Sequence, residues 1–411
     1  MGELDAAITD YSAGLLLRYF RSVGPVPVDR PAIQIERDRE LLRLHWSLSP
    51  AVTDLVSYLR EHRHEIQTVL VSEARREDAT VRGRIDAAAT LRLRRMSGLA
   101  TAVVSHEPLR SHRSGPNEVL GWVLAQAASL AARFTAVATT SPGYQALIDG
   151  VAHGLTAVCR IQGVEQIAAQ ASIGRRPSAG ALLEATRARR VLYRRAADAY
   201  RTLLHIEAGD EEMIAALMRA TLLGPLEPWR RFELAVGLAA VEALARATGA
   251  PLRLNMLAAE GRRPIAEAGR FALYWQGPTP YYNAPDPEPS EAVTRTILDA
   301  YGLSTAGDRP DLVVVDRAAD AVAAIIEVKY LTGEDASDRV RAAAGQIVRY
   351  SRGYSPLQEG IALRGRSLLV VSQGLEALTV PQYPPPGVPF AADFAGLRAG
   401  LLSGWALRLA M

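Results

Sequence analysis

The chain has almost no lysine. Lysine and arginine total 47 among 411 residues, and only Lys329 is lysine, so 47 − 1 = 46 are arginine. Arginine serves salt bridges and phosphate contacts as well as lysine or better. Its guanidinium stays protonated, however, and cannot act as a compact, tunable ammonium. A lone lysine among so many arginines points to chemistry that arginine cannot supply, with accident as the competing reading. Cysteine is equally scarce. The single Cys159 excludes an internal disulfide and any multi-cysteine zinc site, fits a reducing compartment, and reads as an apolar helix residue. No apolar run approaches the ~18 residues of a membrane span, and the best candidate, Leu234 to Ala245, is broken by Glu242. The N-terminus has no basic segment followed by an apolar core. A soluble, cytoplasmic chain with no membrane partner is expected. Three motifs are also missing: Gly-x4-Gly-Lys-Ser/Thr, His-Glu-x-x-His and Gly-x-Ser-x-Gly. Their absence sets aside a built-in nucleotide motor, a zinc protease and a serine hydrolase of the usual kinds.

What is present has the makeup of a globular protein, with 49% hydrophobic and 22% charged residues, and the length suits two or three domains. A net charge of +3 and a pI of about 9.0 permit a polyanion partner without requiring one. The expected fold class is mixed α/β. Residues 1–112 read as a β-rich mixed domain, 113–264 as helical, and 265–411 as a compact α/β domain. In the first segment, Ile8 to Phe20 and Ala51 to Val71 are expected helices, and Pro31 to Glu36 and Leu41 to Ser47 expected strands. A meander over Ala79 to Asp86, Thr90 to Arg95 and Thr101 to His106 follows. It would carry Arg82, Arg84, Arg92 and Arg94 on one face, as a polyanion path or simply as a wetted sheet face. Helices are expected from Asn117 to Phe134, Tyr144 to Ser172, Ala179 to Leu204 and Pro228 to Thr248. Arg190 and Arg194, on the arginine-dense third of these, are candidate nucleic-acid contacts, with a solvated helix face as the more ordinary reading.

The informative stretch is Asp308 to Tyr330. Val313 to Val315 and Ala323 to Val328 are apolar runs separated by a gap too short for anything but a turn, which predicts a β-hairpin. Alternation puts Glu327 and Lys329 on one face, and pairing puts Asp311 near the level of Glu327. Two carboxylates and one ammonium meeting at a sheet edge suit a hard cation, Mg²⁺ or Mn²⁺, with the lysine beside an attacking water. That constellation hydrolyses phosphodiesters. Glu291, one residue past the expected cap Ser290 of a helix to Tyr301, is either a plain helix-start acid or a further metal ligand. A helix over Ser337 to Tyr350, a strand from Arg366 to Ser372 and a final helix complete the domain.

Pro310-Asp311, Glu327-Val328-Lys329 and, on the next helix, Gln346-Ile-Val-Arg-Tyr350 together resemble the PD-(D/E)XK nuclease superfamily. Upstream, Val81-Arg-Gly-Arg-Ile-Asp86, Gly115-Pro-Asn-Glu-Val-Leu120, the basic helix with Tyr193, and Arg231-Phe-Glu-Leu234 are similar to the McrC-like nuclease subunits of restriction systems. The resemblance implies a restriction-endonuclease-like domain with Asp311, Glu327 and the Val328 carbonyl as metal ligands and Lys329 positioning water. Gln346 and Tyr350 would orient the lysine or touch the DNA backbone. It also implies a DNA endonuclease of a restriction or anti-phage system that works with a separate AAA+ NTPase, contacted through the N-terminal segment. Whether the nuclease domain forms a homodimer is left open. Repair, junction or RNA cleavage on the same fold, and a non-catalytic adaptor, are the alternatives.

Overall fold

In a computed structural model, the described residues are all except 1, 22–31, 82, 135–141, 172–174, 256–263, 277–280, 283–287, 289–291, 294–295, 298–299, 301–308, 332–335, 355–356 and 376–383. Arg82, Glu291 and most of the expected helix from Ser290 lie outside them. The fold is mixed α/β and divides into two units. One contains residues 1–45, 133–149 and 206–411, and the other 46–132 and 150–205. Among the described residues no helix is long and apolar enough to cross a membrane.

The second unit contains helix α1 (Pro50–Glu61), strand β1 (Val69–Asp78), the short β2 (Arg84–Ile85), α2 (Ala87–Ser97) and β3 (Ala102–Ser111). The strands form an antiparallel sheet in the order β1-β3-β2, Val69 facing Ser111 and Arg84 facing His106. The expected strand over Thr90 to Arg95 is instead α2. Asp86 accepts the Ala89 N–H at 2.9 Å as an N-cap, three alanines follow, and Gly98 ends the helix at φ 71. Those end signals outweigh five residues of period-two alternation. The expected helix over Ala51 to Val71 stops at Glu61, because β-branched Val69 and Val71 pair with β3.

Helices α3 (Gly115–Phe134), α4 (Pro142–Cys159), α5 (Val164–Gln170), α6 (Ala179–Arg187) and α7 (Val191–Glu207) follow. Cys159 ends α4 half-buried, and burial pushes its thiol pKa up, as for an inert packing residue. The buried Asn117 donates to the Gln67 and His112 carbonyls at 2.9 and 2.8 Å and accepts the Tyr193 hydroxyl at 2.7 Å. That hydroxyl in turn accepts the Gln67 N–H. The Pro-x-Asn start of α3 and Tyr193 are thus one saturated polar network inside the unit.

In the first unit, α8 (Glu3–Arg21) precedes α9 (Ala32–Ser47), the helix that replaces the two strands expected there. Its Glu, Arg and Leu residues are good helix formers, and Leu41, Leu42 and Leu44 are buried. His45 is fully buried, with Nδ1 2.9 Å from Thr221 Oγ1. Thr221 sits in a π-turn over Arg219–Leu223 and gives its own proton to the Leu217 carbonyl, so Nδ1 of His45 carries the donor hydrogen. Burial pushes the imidazole pKa from 6.5 down to about 4. Between those values the unfolded chain binds more protons, so the stability His45 contributes is complete above pH 6.5 and falls as pH drops toward 4. Thermal melts across that window are expected to show this acid loss, and His45→Gln to reduce it. An unchanged pH profile in the variant would remove His45 as its source.

Helix α10 (Glu211–Met218) and the long α11 (Pro228–Thr248) lead into a sheet that has seven strands among the described residues. Its strands are β4 (Leu252–Leu254), β5 (Ala266–Ala268), β6 (Phe271–Trp275), β7 (Leu312–Asp316), β8 (Ala321–Lys329), β9 (Leu368–Val371) and β10 (Phe390–Asp393), side by side in the order β10-β9-β8-β7-β6-β5-β4. From β4 to β8 the neighbours are antiparallel, and β9 and β10 join in parallel. The crossover from β8 to β9 runs through α12 (Ala336–Tyr354) and α13 (Leu357–Arg366). Tyr350 and Leu363 from these helices cover Val313, Val315, Val322 and Ile325 on one face of the sheet. On the other face α11 approaches so closely that a Cβ on Gly237 would lie 3.2 Å from the side chains of Leu273 and Leu312. Helices α14 (Phe394–Arg398) and α15 (Leu402–Ala410) close the chain.

Candidate metal centre

The hairpin forms as its sequence indicates, with Leu312 facing Ile326. Extended one step, that register sets Asp311 opposite Glu327; extended two, Pro310 opposite Val328. Pro310 has no N–H to give, so the β7 ladder ends there. Asp311 takes over: its Oδ2 accepts the Val328 N–H at 2.8 Å. The Val328 carbonyl projects to the same side as its own N–H, where proline offers it no donor. The neighbouring residues point the other way, toward β9. Ile325 N–H reaches Ser367 Oγ at 3.2 Å, and the Lys329 carbonyl accepts Ser372 N–H at 2.9 Å.

Glu327 is 1% exposed. Its Oε1 receives the Lys329 ammonium at 2.5 Å, while Oε2 is buried with no hydrogen-bond partner. Burial, reinforced by Asp311, pushes the Glu327 pKa up to about 8 even though Lys329 pulls it down. Asp311 is raised too, by burial first, against the Lys329 charge and the Val328 N–H. Two carboxylates are therefore held where ionisation is costly, and a divalent cation is what would compensate them.

Asp311, Glu327 and the Val328 carbonyl fit such an ion. All are oxygen donors, the set preferred by Mg²⁺ or Mn²⁺, and the unpartnered Glu327 Oε2 is a buried lone-pair site needing a positive charge. Among the described residues no group of three or more His, Cys, Asp or Glu side chains is gathered for a metal. These residues would offer two carboxylates and a carbonyl, a donor number suited to an ion that keeps several waters.

One acid beside this centre escaped the sequence reading. Glu233, on α11, is 4% exposed, and its Oε2 accepts both Trp275 Nε1 and Gln276 Nε2 at 2.7 Å. Burial, then the Asp311 charge, push its pKa well above the ordinary carboxylate range. The available signal was a solitary carboxylate in an otherwise apolar run, Phe232 to Val241, that is buried throughout.

The other candidates are placed as follows. Tyr350 is 3% exposed, gives its hydroxyl proton to the Arg309 carbonyl at 3.2 Å and packs in the apolar cluster, so it anchors the chain two residues before Asp311. Burial and the Glu327 charge raise its pKa. Gln346 lies one turn earlier on α12 and is half-buried. Arg84, Arg92, Arg94, Arg190 and Arg194 all belong to the second unit. Arg84 and Arg92 are exposed, whereas Arg94 is half-buried with Nε 2.8 Å from the Ala102 carbonyl. Arg190 donates to the Glu65 carbonyl, and Arg194 to the Ala188 and Arg189 carbonyls at 3.0 Å each, across the α6–α7 joint.

No family model matches the chain, and no curated protein matches it. Among solved structures, a chain of the assembly described as Thermococcus gammatolerans McrB AAA+ hexamers with bound McrC aligns with 98% of this chain and 76% of its own. The identity is 12% and the TM-score 0.26, a likeness too slight to define fold or function.

Proposed function

We propose that the chain is a Mg²⁺-dependent phosphodiesterase that cuts DNA in a restriction or anti-phage system, as the PD-(D/E)XK and McrC-like motifs in its sequence imply. The observation that carries this reading is the buried Glu327, with one oxygen on the only lysine and the other unpaired, opposite Asp311 when the Leu312–Ile326 register is extended one step. A divalent cation bound there supplies charge to the scissile phosphate and acidity to a water. Asp311 and Glu327 hold it, with the Val328 carbonyl as a third oxygen. Lys329 orients the water and neutralises the charge that develops on phosphate. Tyr350 fixes the approach of residue 309 and so the entry of the strand. The separate AAA+ NTPase is part of the same proposal. Support for a docking surface comes from the second unit, where Leu70, Val71, Ile85, Leu91, Met96 and Leu99 are all exposed within one small sheet-and-helix module.

The test incubates the purified chain with plasmid, linear DNA and RNA, with Mg²⁺ or with chelator, alone and with an NTPase co-purified from the native host. Cation-dependent DNA strand scission that disappears in Asp311→Asn is the expected result. Scission that persists in the variant, or its absence under all these conditions, would overturn the assignment.

A further inference from the structure

Helix α11 lies close on β6 and β7, so that a Cβ at Gly237 would crowd the Leu273 and Leu312 side chains. One turn earlier on the same face, Glu233 reaches the ends of those strands. There Gln276 adopts φ 47, in the left-handed region that residues with a Cβ seldom enter. Nothing about a glutamine favours that conformation, so its contacts must hold it. Two are visible: Gln276 Nε2 donates to Glu233 Oε2 at 2.7 Å, and Gln276 N–H donates to the Asp311 carbonyl at 2.9 Å. The second bond extends the β6–β7 ladder by one rung, from the Trp275–Leu312 pair to Asp311. Trp275 Nε1 binds the same Glu233 oxygen at 2.7 Å and keeps it aimed at the strand end. Asp311 is thereby fixed twice, at its carbonyl by Gln276 and at Oδ2 by the Val328 N–H.

We infer that Glu233 is a positioning residue: it locks Gln276 in a left-handed turn, and that turn sets the height and direction of the Asp311 carboxylate toward the cation. The inference rests on the metal centre proposed above. It assigns Glu233 a role through its acceptor oxygen and not as a ligand, and the two roles separate cleanly. Glutamine keeps an acceptor oxygen but is a poor ligand for a hard cation, whereas alanine removes both. Glycine at 276 enters the left-handed region without strain and so makes the lock dispensable.

Mn²⁺ affinity by calorimetry, and exchange of the Gln276 amide hydrogen without metal, test this on the full-length chain. Glu233→Ala is expected to weaken Mn²⁺ binding roughly 10–100-fold, as loss of an outer-shell partner does, and to speed Gln276 amide exchange. Glu233→Gln is expected to stay near wild type, and Glu233→Ala with Gln276→Gly to regain most of the lost affinity. If Glu233→Gln binds as poorly as Glu233→Ala and glycine rescues nothing, Glu233 is itself a ligand and the inference fails. It fails equally if Glu233→Ala binds Mn²⁺ normally. If wild type and Asp311→Asn bind Mn²⁺ equally, the metal centre is what fails, and unchanged Gln276 exchange in Glu233→Ala then overturns the lock on its own.

Discussion

Lys329→Met is expected to lower DNA cleavage by roughly 10²–10⁴-fold, the range associated with losing a positioned acid–base or charge-stabilising group. The lysine stem sits at the end of β8 with 17% of its side chain exposed, and methionine fills that space without a charge. Folding and DNA retention should therefore persist. Lys329→Arg is the sharper variant. Forty-six positions in this chain carry arginine, so the protein tolerates it readily, yet a guanidinium is broader than an ammonium and cannot give up its proton. Both variants should fail while melting as cooperative units. Single-turnover assays at saturating Mg²⁺ provide the measurement. Arginine-supported cleavage near the wild-type rate would show that position 329 supplies only positive charge.

The part of the fold that holds this site was legible because its signals are local. Apolar runs either side of a short turn define β7 and β8, and alternation then fixes which side chains share a face. Proline before Asp311 marks where the ladder stops. The long helix from Pro228 to Thr248 was equally readable, with Pro at its start and Gly249 in the left-handed conformation just beyond it. The earlier segments were misread where two periodicities compete over few residues. Thr90-Leu-Arg-Leu-Arg alternates like a strand, yet the Asp86 cap and a run of alanines decide for helix. The joint role of Glu233 and Gln276 was not legible, for a different reason, although Glu233 stands out as a lone carboxylate in an apolar run. Their importance depends on a helix and a strand end separated by some forty positions meeting around one oxygen, and no local pattern encodes that. The arginines show the converse. By sequence Arg94, Arg190 and Arg194 are nucleic-acid candidates or parts of solvated faces, and in the fold each gives hydrogen bonds to backbone carbonyls, work that a long multi-donor side chain does well.

Glu327→Gln is expected to abolish cleavage and, without divalent cations, to stabilise the protein. Its carboxyl titrates near 8 in the fold against 4.5 ordinarily. Between those values the folded state binds more protons than the unfolded chain, so stability declines as pH rises from 4.5 to 8, and the penalty is complete above that. Glutamine carries no charge to desolvate and escapes the decline. Against this gain stands the Lys329 ammonium, which keeps an acceptor in the amide oxygen but loses the opposing negative charge. Lys329 is not fully enclosed and can turn toward water, so the carboxylate's relief wins, by on the order of 1–3 kcal/mol at alkaline pH and by little near pH 5. Mg²⁺ should reverse the order. A cation that binds only the folded state raises the melting temperature of the wild type with its concentration, and the variant, lacking one carboxylate, should respond weakly or not at all. Melting curves at two pH values, each with Mg²⁺ and with chelator, read all of this in one series. If the variant melts below wild type in chelator at alkaline pH, burial is not what raises Glu327. If both proteins gain equally from Mg²⁺, the ion sits elsewhere.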